Sequence, residues 1–188
     1  MLIRLIQKEM GDKIQAQECS QDVSGYCLAV TGQWLCNPEY VQANITDEGF
    51  LRETKRIQEE YEKEYRESGI HSPNFLGNRF PLKDMYLKNE CDLEQKRLFE
   101  EIIFADTKLF RQGQLAIILG HKSGEAHYLG VRIENDICKF FDVNECFCTT
   151  KNKEIFERFI EYYVTEQYLG LLSKGYIRFQ VALYNCKI

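Results

Sequence analysis

Gln21-Asp22-Val23-Ser24-Gly25-Tyr26-Cys27-Leu28-Ala29-Val30, continuing through Trp34-Leu35 to Asn37-Pro38, is the stretch on which the reading of this chain turns. A polar loop passes through Gly25 into an apolar segment, and Asn37-Pro38 closes it, so the pattern predicts a helix from Tyr26 to about Leu35. Gly32 inside that helix costs up to about 1 kcal/mol relative to alanine, which packing must offset. Cys27 falls in the first turn. A sulfur there faces the positive end of the helix dipole, which favours the nucleophilic thiolate. Gly25 lets the chain turn tightly into the helix. Gln21 can offer its side-chain amide to a developing oxyanion, together with the backbone N–H of Cys27.

A thiol nucleophile needs a base, and the base needs a group to orient it. The chain has three histidines. His71 falls in a proline-containing loop and His121 in a turn after Leu119. His127 falls within an alternating segment, Ala126 to Ile133, where a strand can aim it. The next strand, Ile137 to Phe141, follows the turn pair Asn135-Asp136. A two-residue hairpin centred there sets Leu129 opposite Asp142, and His127 opposite Asn144. Residues that face each other share a side of the sheet, so His127, Asp142 and Asn144 point the same way. A loop of odd length would turn Asp142 to the other face. Asp142 and Asn144 are both candidate orienters. The carboxylate is preferred because it also stabilises the imidazolium.

The bulk composition narrows the class. The 188 residues, 44% hydrophobic and 13% aromatic, suit one domain with a sizeable core and argue against disorder. A net charge of -5 gives no electrostatic case for nucleic acid, which calls for a basic patch. No apolar run approaches the ~20 residues that span a bilayer, and Met1 to Lys8 lacks the features of a cleaved signal peptide. Eight cysteines without a secretory context read as reduced thiols rather than a disulfide framework. Cys146-Phe147-Cys148 is the tightest cysteine pair, and no histidine stands at zinc-ligand spacing, so no metal or other cofactor is expected.

Asp47 to Glu67 places Phe50, Ile57, Tyr61 and Tyr65 at helical spacing, with Ser68-Gly69 as the stop. Residues 69 to 84, rich in proline, glycine and asparagine, read as a loop, and Asp92 to Phe104 as a helix. Leu115 to Leu119 is a continuous apolar run, which suits a central strand. Glu154 to Leu172 carries Ile155, Phe159, Ile160 and Tyr163 as a helical stripe, and Tyr176 to Tyr184 alternates as a final strand. Leu2 to Ile6 fits either a strand or a short helix. The expected fold is α+β: the nucleophile helix packed on an antiparallel sheet of about four strands, with added helices over about 40–112, all in one domain.

Gly25-Tyr26-Cys27-x-Ala29 with Trp34, Ala126-His127 and Phe141-Asp142-x-Asn144 resemble the nucleophile, histidine and aspartate segments of the YopT/AvrPphB family of bacterial effector cysteine proteases. The resemblance covers roughly a fifth of the chain and implies a papain-like core with a Cys-His-Asp triad. It assigns Cys27 as nucleophile, His127 as base and Asp142 as orienter, and Gln21 resembles the oxyanion-hole glutamine of papain-like enzymes more broadly. It also implies a protein substrate in a host cell and a secreted effector acting in the host cytoplasm. The same core serves glutamine deamidases, transglutaminases and acyltransferases, which share the early steps, and a non-catalytic binding scaffold is a third reading.

Overall fold

The computed structural model describes residues 6–8, 10–19, 23, 25–70, 72–92, 113–123, 125–160, 163 and 176–186. Its elements in chain order are β1 (Gln15–Glu18), α1 (Cys27–Cys36), α2 (Pro38–Asn44), α3 (Glu48–Ser68), α4 (Ser72–Arg79), β2 (Leu82–Asp92), β3 (Gly113–His121), β4 (Ala126–Glu134), β5 (Ile137–Asp142), β6 (Cys146–Thr150), α5 (residues 153–160) and β7 (Tyr176–Cys186).

The helix boundaries follow local chemistry. Asn37, the residue before a proline, leaves the helical region with φ of -149° and ψ of 86° and ends α1. Its side chain then accepts the Tyr40 N–H and caps α2, where Pro38 occupies the first turn. Asp47 caps α3 by accepting the Phe50 N–H at 2.9 Å, and Gly69, with φ of 64°, terminates it in the left-handed region. The segment expected to be a loop holds α4 instead. Pro73 sits in its first turn, where a missing N–H costs nothing, and Phe75 and Leu76 bury its inner face.

The described strands form one antiparallel sheet in the order β1-β6-β5-β4-β3-β7-β2. It therefore has seven strands rather than about four. The three unexpected ones are β1, β2 and β6. The first and last are short, and β2 lies within the stretch expected to be a helical elaboration. The helix expected at Asp92 to Phe104 lies outside the described residues, apart from Asp92 itself, which ends β2. Leu2 to Leu5 lie outside them as well, as does the part of the expected Glu154 to Leu172 helix beyond Ile160, Tyr163 excepted. Asn135 and Asp136 both adopt positive φ, 49° and 62°, as a two-residue turn requires. The hairpin they close pairs Leu129 with Asp142, the register that the turn pair implies.

Side chains cover both faces of the sheet. On one face Ile117, Leu129, Val131 and Phe140 pack on Ile155, Phe156, Phe159 and Ile160 of α5. On the other face Ile118, Tyr128, Phe141 and Tyr184 pack on α1, α3 and α4. The central strands β3 and β4 are thus buried on both sides, which is why Leu115 to Leu119 reads as continuously apolar.

Helix α1 is buried nearly all round and lies along β4. Thr31 Oγ1 donates to the Tyr128 carbonyl at 3.3 Å. The Trp34 ring lies on the bare backbone of Gly130 and stacks on Phe141 at 5.3 Å between centroids. The Arg132 guanidinium donates to the Leu35 and Cys36 carbonyls at 2.6 and 3.0 Å, capping the helix C-terminus. Gly32 admits Phe80 and Leu76, which is the packing that offsets its helix cost.

A β-carbon at position 130 would sit 2.7 Å from Trp34 Cε3 and 2.8 Å from Cζ3, inside contact distance. Gly130→Ala is therefore expected to destabilise the fold by about 1–3 kcal/mol, read from denaturant unfolding. A change below about 0.5 kcal/mol would contradict this packing.

Candidate active site

The N-terminus of α1 and the start of β4 meet. Gly25, with φ of 89°, turns the chain into the helix, and Tyr26 as N-cap supplies no side-chain bond. Cys27 is half-buried, and its Sγ–H donates to the Ala126 carbonyl at 3.4 Å. Two residues along, the Ala29 N–H donates to Gln58 Oε1 of α3 at 3.3 Å, so a neighbouring helix satisfies one of the amides that a helix start leaves open.

His127 follows Ala126 directly and is 7% exposed. Its Nε2 lies 2.9 Å from Asp142 Oδ1. The other ring nitrogen, Nδ1, has the Asn144 amide nitrogen 3.4 Å away. Cys27 is among the neighbours that favour the protonated imidazole. The pairing of β4 with β5 produces this geometry: Leu129 opposes Asp142, and His127 lies one step along the same face.

Asp142 is 2% exposed, which an ionised carboxylate tolerates only when donors surround it. Three are present. Oδ1 accepts from His127 Nε2 and from the Asn144 backbone N–H at 2.9 Å, and Oδ2 accepts from the Tyr163 hydroxyl at 2.6 Å. Burial pushes the Asp142 carboxyl upward, but the His127 charge and these hydrogen bonds outweigh it and hold the group below its ordinary value. Burial likewise pulls His127 downward. The Asp142 charge and hydrogen bond, then Cys27, reverse that and push it up to about 10. The sign of the linkage follows. The stability contributed by His127 is fully present below its unfolded value of about 6.5 and is lost as pH rises through about 10. That of Asp142 is present above about 3.9 and is lost as pH falls through its lowered folded value.

Of the residues singled out in the sequence, Cys27, His127 and Asp142 come together here, and Gln21 lies outside the described residues, as does His71. Asn144 flanks the ring at Nδ1 while its backbone N–H holds Asp142. His121 ends β3, where its Nδ1 lies 2.6 Å from Ser123 Oγ in its own hairpin. Tyr163 is legible in the sequence only as one member of an apolar helical stripe. The signal that could have marked it is its hydroxyl, because a buried tyrosine needs a polar partner. Cys27, Cys138, Cys146 and Cys148 are reduced thiols.

No protein-family model and no curated protein matches this chain. Among solved structures, the chain is similar to the crystal structure of the Pseudomonas avirulence protein AvrPphB, with a TM-score of 0.61 at 13% sequence identity. The match covers 90% of this chain and 97% of that one. The fold is therefore the papain-like α+β fold of that protein, carried by a largely different sequence.

The His127 titration provides a direct check. Nitrogen-edited NMR is expected to find the imidazolium at neutral pH with a midpoint of about 10. In Asp142→Asn the burial penalty loses its main opponent, so the midpoint should fall by more than about 1 unit. An unchanged midpoint would contradict the coupling.

Proposed function

We propose that this chain is a cysteine protease in which Cys27 is the nucleophile, His127 the acid–base group and Asp142 its orienter. The observation that carries the reading is that the buried Asp142 carboxylate holds His127, the residue directly after the Ala126 carbonyl on which the half-buried Cys27 sulfur rests at a helix N-terminus. Asp142 occupies Nε2, so a proton exchanged with the thiol passes through Nδ1, the nitrogen that Asn144 flanks.

In this mechanism the Cys27 thiolate attacks the scissile carbonyl. The Cys27 backbone N–H, at the positive end of α1, and the Gln21 side-chain amide hold the oxyanion. The tetrahedral intermediate collapses as His127 gives its proton to the leaving amine. A water then enters, His127 takes its proton, and the thioester is hydrolysed. Half-burial of the sulfur supports the reading, since a substrate carbonyl has to reach it.

The likeness to an avirulence protein of Pseudomonas supports the further reading of a secreted bacterial effector that cuts a host protein in the host cytoplasm. No helix among the described residues is long and apolar enough to cross a membrane.

Two measurements check this. Iodoacetamide near neutral pH is expected to modify Cys27 ahead of the other seven of the eight cysteines, and His127→Ala should remove that preference. Slow, uniform labelling would favour a scaffold without chemistry. Profiling of new protein termini in a host-cell extract should yield cleavage with the wild type, and Cys27→Ala should reduce it on the order of 10⁴-fold or more. Conversion of glutamine to glutamate without new termini would overturn the protease reading in favour of deamidation.

A further inference from the structure

Two of the three donors to Asp142 come from its own neighbourhood: His127 across the hairpin and the Asn144 N–H two residues on. Both bind Oδ1. The terminal torsion of an aspartate is broad, so two bonds to one oxygen leave the plane of the carboxylate free to turn. The third donor, Tyr163, follows α5 and reaches Oδ2. We propose that Tyr163 is a positioning residue: its hydroxyl fixes the plane of the Asp142 carboxylate, so that Oδ1 stays on His127 Nε2 and the ring keeps Nδ1 toward Cys27. This inference rests on the catalytic reading above.

The packing suits that task. Tyr163 is 4% exposed, and its ring is held against Phe140 at 4.8 Å and Phe159 at 6.1 Å between centroids. Phe140 and Asp142 lie on the same face of β5, so one strand carries both the ring's support and the hydroxyl's acceptor. Phenylalanine would serve the packing alone. A hydroxyl at 2.6 Å from a carboxylate oxygen adds a short charge-assisted bond with a defined direction. The groups that act on Tyr163 are Asp142, Cys146 and Glu145. Burial first, then these neighbours, hold the phenol well above its ordinary value, so it remains a donor wherever the His127–Asp142 pair is ionised.

The test is a cycle of Tyr163→Phe, Asp142→Asn and the double variant. The readout is the rate of iodoacetamide alkylation at Cys27 across pH, resolved by peptide mass spectrometry. Tyr163→Phe keeps the ring and should slow Cys27 alkylation about tenfold at neutral pH. It should also move the acid limb to higher pH, because Asp142 loses a donor to its ionised form. In the Asp142→Asn background the same substitution should change the rate less than about twofold, since its route of action is gone. An equal loss in both backgrounds would mark a purely structural role and overturn the proposal, as would no loss in either. Should the double variant fail to fold, the single variant still decides: the low-field His127 Nε2 proton resonance should move upfield, and an unmoved resonance overturns the proposal. An unchanged rate in Asp142→Asn overturns the catalytic reading itself, and this proposal with it.

Discussion

The register of α1 along β4 is the constraint on which the rest depends. Four contacts fix it in sequence: Cys27 on the Ala126 carbonyl, Thr31 on the Tyr128 carbonyl, Trp34 on the bare Gly130 backbone, and Arg132 on the Leu35 and Cys36 carbonyls. Each ties a helix residue to a strand residue a little further along. A shift by one helical residue would break all four, because both the hydrogen bonds and the glycine gap are position-specific. The Cys27 sulfur is thereby aimed from the packing of a whole helix, with most of the energy in buried apolar surface and the direction in a few polar contacts.

The second constraint is electrostatic. His127 and Asp142 are both buried, and each would be neutral there without the other. Their mutual charge, with Tyr163 and the Asn144 amide on the carboxylate, reverses the direction that burial alone would impose. The site thus stores a fixed negative charge behind the imidazole and leaves the sulfur side half-open. The sheet supplies the support: β4 and β5 bring the pair together on one face, and the aromatic layer of Phe140, Phe159 and Tyr163 closes that face behind it. The helix N-terminus arrives from the opposite layer. The His127–Asp142 pair and the Cys27 thiol are therefore held by two separate hydrophobic cores that share one sheet.

Much of this is legible in the sequence, for specific reasons. Asn135-Asp136 can adopt positive φ, so the hairpin register follows, and with it the shared face of His127 and Asp142. Asn37-Pro38 marks the end of α1, and Asp47 and Gly69 bound α3, whereas α2 carries no pattern that reads as a helix. What escapes is structure without local pattern. The strands β1, Gln15–Glu18, and β2, Leu82–Asp92, lie at the ends of the sheet order and carry polar residues that do not alternate with apolar ones. β6 is short and follows closely on its neighbour β5. α4 is hidden because proline, glycine and asparagine signal a loop, yet its proline falls in the one turn that accepts it. Tyr163 escapes for a different reason: its partner lies 21 residues away, and only tertiary packing shows which polar atom a helix stripe delivers its hydroxyl to.

The most direct measurement is a crystal structure of the chain after reaction with a peptide aldehyde. The account predicts a hemithioacetal on Cys27, its oxygen toward the first turn of α1, and His127 within about 3.5 Å of the adduct while still bound to Asp142. An adduct on a different cysteine, or one on Cys27 with His127 turned away from it, would contradict the account.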